Sequence, residues 1–278
     1  MADDGSDLAA EALSMPLLTS LQNPTVKQLR QLQQGRQRRR QGLILLEGTH
    51  LIEEAVAADY PLSLVCYTQA WRDRYPHLWQ QAAQRATMQP VAAEVLKSIA
   101  STASPDGVVA IAPRRADYHP PPAQPSLAIL LETLQDPGNL GTIIRTAAAA
   151  GSDGLWLSPD SVELEHPKVL RASAGQWFRL PMAIVEPRSQ GRLLRAQGLQ
   201  LVATSPEAET HYWELDLSRP TVFLIGNEGN GLTAELIQLA TVSTRIPLAL
   251  GVESLNAAIA AALLLYEARR QRFQASSR

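Results

Sequence analysis

Apolar positions along this chain come in short continuous runs, separated by stretches in which they recur every three or four residues. That is the pattern of strands alternating with helices. Val26, Leu29 and Leu32 predict one helix over residues 23–41. A strand over 43–46 follows, then a helix over 48–58, a strand over 62–68, helices over 78–85 and 92–98, and a strand over 107–113. Together these make a small α/β unit over residues 21–116, preceded by a flexible tail over 1–20, where no periodicity is sustained. Residues 117–126 carry Pro120, Pro121, Pro122 and Pro125. Proline removes a backbone donor and fixes φ, so this stretch reads as an extended linker.

Beyond the linker, over residues 127–278, the alternation is regular. Strands are predicted at 127–133, 154–158, 179–185, 199–205, 221–226 and 244–248, with helices between them. The final helix, SLNAAIAAALLLYEARRQR, is apolar nearly all round at its start, so it is expected to be buried on more than one side, against the sheet and against a second subunit. The pattern is that of an open, largely parallel α/β sheet.

Composition narrows the field. With 45% hydrophobic and 19% charged residues the chain can build a core without covalent staples. Cys66 stands alone, which excludes an internal disulfide and a cysteine metal cage. His50, His77, His119, His166 and His211 have no ligand spacing, so no metal is expected. The opening MADDGSD is not a secretory signal, and the apolar run 257–266 is too short to span a bilayer, so no membrane role and a cytoplasmic location are expected. The net charge of −2 means that any nucleic-acid surface must be local. One basic cluster, Arg36, Arg38, Arg39 and Arg40, reads equally as a phosphate contact or as a solvated face. A second, Arg269, Arg270 and Arg272, reads as a solvated helix end whose charge favours the helix dipole.

Ligands of parallel sheets gather at the carboxyl ends of strands. Three segments are built for such a position. LETLQDPGNLGTIIRTAAAAG (131–151) runs from a strand through Asn139 and Gly141 into a helix that carries Arg145. Its glycines would let backbone amides approach a ligand, although an ordinary turn with Asn139 as N-cap explains it as well. FLIGNEGNGL (223–232) surrounds Glu228 with three glycines. Its spacing is not the dinucleotide G-x-G-x-x-G, and it has no P-loop lysine. IPLALGVESLNAAIAAALL (246–264) leads through Gly251 to Ser254 and Asn256 at a helix start, where Ser254 reads as the N-cap.

Together and in this order, N-x-G-x-x-x-R, G-N-E-G-x-G and I-P-L…E-S-L-N-x-A resemble the three motifs of the SpoU-type RNA ribose 2′-O-methyltransferases of the SPOUT class. HPKVLRASAGQWFRLP (166–181) resembles the family's intervening stretch, and the likeness spans roughly 127–272. More loosely, KQLRQLQQGRQRRRQGLILLEGTHLIEEAVA and SPDGVVAIA resemble the small RNA-binding domain that often precedes the catalytic one.

The resemblance implies a trefoil-knotted α/β catalytic domain behind a small α/β RNA-binding domain, and it implies a homodimer. It implies S-adenosyl-L-methionine as cofactor, held by backbone at Gly226, Ile246 and Leu255, with Leu248 an addition. It implies a reaction site of Asn139, Arg145, Glu228, Ser254 and Asn256, and it gives Arg36, Arg38, Arg39 and Arg40 the task of binding RNA. The substrate implied is ribosomal RNA of the 23S type ahead of transfer RNA. A nucleotide-dependent doubly wound enzyme and a catalytically silent RNA-binding protein are the competing readings, opposed respectively by the glycine spacing and by the intact motif residues.

Overall fold

The computed structural model describes residues 15–115 and 119–276, and it divides into two compact units that meet in sequence between Arg114 and Arg115. The predicted tail lies outside the described residues up to position 14. Residues 15–20 are held, with Leu18 pairing to Val91.

In the first unit the elements run α1 (Pro24–Gln31), α2 (Gly35–Gln41), β1 (Leu43–Glu47), α3 (Thr49–Ala57), β2 (Leu64–Tyr67), α4 (Gln69–Arg74), α5 (Pro76–Ala83), β3 (Thr87–Pro90), α6 (Ala93–Ile99) and β4 (Val108–Pro113). The strands form one sheet in the order β1-β4-β2-β3, antiparallel except between β2 and β3. Val26, Leu29 and Leu32 do pack inward, against Leu45, Val95, Ile99 and Val109.

The single helix predicted over 23–41 is two helices broken at 32–34, and the break explains Arg38. Its guanidinium is buried, and Nη1 donates to the carbonyls of Leu32 (3.0 Å) and Gln33 (2.9 Å), closing the carboxyl end of α1. The expectation that Arg38 contacts RNA is therefore corrected: a buried arginine spent on backbone carbonyls cannot reach a phosphate. Arg36, Arg39 and Arg40 are exposed. Arg38→Ala would leave two carbonyls without this donor and is expected to cost about 1–3 kcal/mol in denaturant unfolding.

The second unit runs β5 (Leu127–Leu131), α7 (Pro137–Ala150), β6 (Gly154–Leu157), α8 (Pro167–Ala172), β7 (Met182–Ile184), α9 (Pro187–Ala196), β8 (Gln200–Thr204), β9 (Thr221–Ile225), α10 (Ala234–Leu239), β10 (Val242–Thr244) and α11 (Ala257–Ser276). All six strands are parallel, in the order β10-β8-β9-β5-β6-β7. The central strands β5 and β9 are buried at every position, which is why they read as unbroken apolar runs.

From β5 the chain builds outward through β6 to β7. It then returns to the other side through β8 and fits β9 against β5. The strand order thus reverses between β5 and β9, and loops leaving the two strands diverge there to open a crevice. The strand predicted over 244–248 ends at Thr244, which frees residues 245–248 to line that crevice. Arg272 is not a solvated helix end. Its guanidinium donates to the carbonyls of Leu217, Ser126 and Arg219, anchoring α11 to the far end of the sheet.

Candidate active site

The crevice holds a cavity of about 480 Å³. Gly226, Glu228, Ile246, Leu248, Ser254 and Leu255 all line it. The four positions expected at a cofactor and two of the five expected at the reaction centre thus line one cavity, although they come from two separate segments.

The glycine loop is folded back on itself. The amides of Asn227 and Gly231 each donate to the other's carbonyl, at 3.0 and 2.9 Å. The Asn227 side chain accepts from the amides of Gly229 (2.9 Å) and Asn230 (3.0 Å), and its Nδ2 donates to the Thr133 carbonyl (2.9 Å). A side chain at Gly226 would overlap the Gly231 carbonyl and the Leu232 nitrogen, so the hairpin exists only because position 226 has none.

The loop's exit is held by Glu132, a buried carboxylate just past β5. It accepts from the Thr233 amide (2.8 Å) and hydroxyl (2.9 Å). Thr133 beside it sits at φ +55°, an unusual conformation for a β-branched residue. Bonds from its amide to Ser158 Oγ (2.8 Å) and from its Oγ1 to Asp160 (2.8 Å) hold it there. Strain so over-determined is a recurrent mark of functional loops.

Glu228 ties the three segments together. Its carboxylate accepts from the amides of Gln135 (3.2 Å) and Asp136 (3.1 Å) and from Asn139 Nδ2 (3.0 Å). Asn139 Oδ1 in turn accepts from Asn256 Nδ2 (2.8 Å). Asn256 Oδ1 accepts from the amides of Ala258 (2.9 Å) and Ile259 (3.3 Å) at the start of α11. An ionised carboxylate can only accept, so every amide along this chain has a fixed orientation. Burial pushes the Glu228 carboxyl up, but the bonds it accepts from Asn139 and from backbone amides outweigh this and hold it below the usual range.

Two local readings are corrected. Asp136, not Asn139, caps α7, accepting from the amides of Gly138 (2.6 Å) and Asn139 (2.9 Å). Asn256, not Ser254, caps α11. In both cases the residue that reads as a cap is left to line the cavity or to bind a neighbouring segment. Gly141 also differs from its reading as a close approach to ligand. A Cβ there would lie 2.7 Å from the Val169 carbonyl, so this glycine serves the packing of α7 on α8.

Arg145 is exposed, its side chain makes no hydrogen bond or ion pair with the described residues, and it does not line the cavity. It lies six residues past Asn139 on α7, so the two side chains point about 120° apart around the helix. Sequence reading missed Thr204, Ser205, Pro206 and Glu207, which wall the cavity beyond β8. A Ser-Pro step at the carboxyl end of a parallel strand was the available signal. Among the described residues no group of three or more His, Cys, Asp or Glu is placed to hold a metal ion.

The cavity suits S-adenosyl-L-methionine. Its size falls within that of small-molecule sites, and its lining combines apolar Ile246, Leu248 and Leu255 with acidic Glu207, Glu228 and Glu253 and basic Arg245, appropriate to a ligand carrying ammonium, sulfonium and carboxylate charges.

Residues 126–266 match the SpoU rRNA Methylase family, and residues 23–110 match the MRM3-like substrate binding domain. The chain is 48% identical to an uncharacterized tRNA/rRNA methyltransferase of Synechocystis sp., over 94% of this chain and 96% of that protein. It is 30% identical to the 23S rRNA (guanosine(2553)-2′-O)-methyltransferase RlmP of Bacillus subtilis, over 92% of this chain and 100% of that one. A crystal structure of an AdoMet-bound rRNA methyltransferase from Sinorhizobium meliloti superposes with a TM-score of 0.81 at 33% identity, covering 92% of this chain and 97% of that chain.

Proposed function

Because the chain belongs to the SpoU rRNA Methylase family, we propose that it transfers a methyl group from S-adenosyl-L-methionine to a ribose 2′-hydroxyl of ribosomal RNA, of the 23S type. The observation that carries this reading is the Glu228–Asn139–Asn256 chain, which joins three distant segments, two of which line one cavity. The 2′-hydroxyl is the group that distinguishes RNA from DNA, and it is the acceptor.

When bound, the cofactor supplies a methyl group already activated on a sulfonium. The chain's own task is to align the acceptor oxygen and to manage its proton. Gly226, Ile246, Leu248 and Leu255 hold the cofactor through backbone and apolar contact. Glu228 fixes Asn139, whose position sets the ribose, and Ser254 shapes the rim. Arg145 presents an unneutralised guanidinium. A planar, multiply donating guanidinium suits an RNA phosphate, so Arg145 orients the substrate backbone and stabilises charge.

On the same reading the C-terminal segment threads through a loop as a trefoil knot, and two copies act as a homodimer. Support for the dimer comes from α11, where Ile259 and Tyr266 are each about half exposed beside a hollow that also includes Tyr212. A cytoplasmic location is the corresponding expectation; no described helix is long and apolar enough to cross a membrane.

The test is methyl transfer from labelled S-adenosyl-L-methionine to an unmodified 23S rRNA transcript, with the product mapped as 2′-O-methylation. Arg145→Ala is expected to bind cofactor with unchanged affinity in isothermal titration while losing at least about 100-fold in turnover, the scale of removing one charge-stabilising donor. Wild-type turnover by that variant would remove Arg145 from the reaction.

A further inference from the structure

We propose that the RNA backbone is seated on the first unit in a groove between α1 and α6 centred on Lys27 and Arg30, and not on the arginine cluster alone. This rests on the reading of the chain as an RNA methyltransferase and assigns the face through which the first unit meets its substrate.

Charge distribution is the first ground. Between Met15 and Leu46 there are six basic residues, Lys27, Arg30, Arg36, Arg38, Arg39 and Arg40, and no acidic residue, in a chain whose net charge is −2. A local excess of this kind is the electrostatic footprint of a polyanion site. Arg38 is withdrawn into the interior, so the cluster alone is weaker than its sequence suggests.

Shape is the second. A hollow of about 430 Å³ is lined by Lys27, Arg30, Gln31, Gln33, Gln34 and Ser98. Lys27, Arg30 and Gln31 stand at three- and four-residue spacings and so share one face of α1, and Gln34 joins them from the break beyond its end. Gln33 Nε2 donates to the carbonyls of Ile99 (2.6 Å) and Ala100 (3.2 Å), which fixes the wall where α1 meets the end of α6. Neither Lys27 nor Arg30 is neutralised by an ion pair with the described residues. The nearest acid on α6 is Glu94, one turn before Ser98.

Two cations flanked by amide and hydroxyl side chains match a phosphodiester backbone with its 2′-hydroxyls, and the lining offers no apolar face for a lipid or a protein helix. Arg36 and Arg40 lie four residues apart on α2, on the side away from buried Arg38.

The test uses the full chain and a 23S rRNA transcript. Lys27→Ala/Arg30→Ala is expected to raise the RNA Kd and KM about 10-fold and to lower the slope of log K against log salt by about 2, because two phosphate contacts are lost. Turnover at saturating RNA and the cofactor Kd should stay at wild-type values. The charge-keeping pair Lys27→Arg/Arg30→Lys should restore affinity. Arg72→Ala/Arg74→Ala, the same charge change on α4, should move RNA affinity less than 2-fold. Unchanged RNA affinity in the Lys27/Arg30 pair overturns the groove, as does an equal loss in the α4 pair or a fall in turnover at saturating RNA. Wild-type protein that neither binds nor methylates the transcript would instead bring down the RNA methyltransferase reading itself, and the groove with it.

Discussion

Gly226→Ala is expected to abolish measurable cofactor binding while leaving a folded protein. The added methyl group would overlap the Gly231 carbonyl and the Leu232 nitrogen, both backbone atoms that cannot rotate away. Residues 227–231 must then open, breaking the paired Asn227 and Gly231 bonds that shape the cavity wall. Overpacking of this kind costs about 1–3 kcal/mol in stability. The loss in cofactor affinity should reach at least about 100-fold, equivalent to about 2.7 kcal/mol, because a displaced loop withdraws several contacts at once. Gly229→Ala is the control: its Cβ would meet only Asn227 Oδ1, at an ordinary 3.5 Å, so affinity should change less than about 3-fold. Isothermal titration with S-adenosyl-L-methionine, alongside circular dichroism to confirm folding, separates the two. Wild-type affinity in Gly226→Ala would show that the hairpin is not part of the cofactor site.

That contrast shows what the sequence could and could not reveal. Three glycines around a carboxylate signal a special loop, because chemistry and backbone geometry restrict residue type there. Which glycine is indispensable depends on how the loop folds back, and spacing does not encode that. Strands β5 and β9 were legible because burial on both faces demands unbroken apolar runs. Strand β3 (TMQP) was not, since four residues with two polar side chains and a proline carry no period. Helix α4 was missed because its single buried side chain, Trp71, leaves no stripe to detect.

The site divides similarly. Asn139, Glu228 and Asn256 were identified by residue type and order, but their mutual bonds span 89 and 117 positions. Glu132 escaped notice because a glutamate after an apolar strand looks like the strand's solvated end, and its partner Thr233 lies 101 residues away. Arg38 misled for the opposite reason. Inside a run of arginines nothing local marks the one that folds inward to close a helix, and only the break at 32–34 creates the carbonyls it serves.

Asn139→Asp is expected to be as damaging to activity as any isosteric change in this protein, and to be relieved by acid. The substitution keeps shape and replaces Nδ2, which donates to Glu228 at 3.0 Å, with a second carboxylate oxygen. Two carboxylates at that distance do not both ionise comfortably, so the pair holds a proton to higher pH than either would alone. In the wild type, Glu228 sits below the usual carboxylate range, so its contribution is present at neutral pH and fades only as acid protonates it in the folded state. In Asn139→Asp the sign reverses: the folded state binds a proton that the unfolded chain releases, so stability relative to wild type improves as pH falls. The variant should lose about 1–2 kcal/mol at pH 7, with the deficit shrinking between about pH 7 and pH 5 as the shared proton restores a bond between the two side chains. Turnover should fall at least about 100-fold at pH 7, since a shifted Asn139 side chain also releases Asn256 Nδ2 and with it the register of α11 against the cavity. Thermal unfolding of both proteins across that pH range is the measurement. A deficit that stays constant or grows as pH falls would mean that Glu228 and position 139 do not share a proton, and that the bonded chain across the three segments is not what holds the rim together.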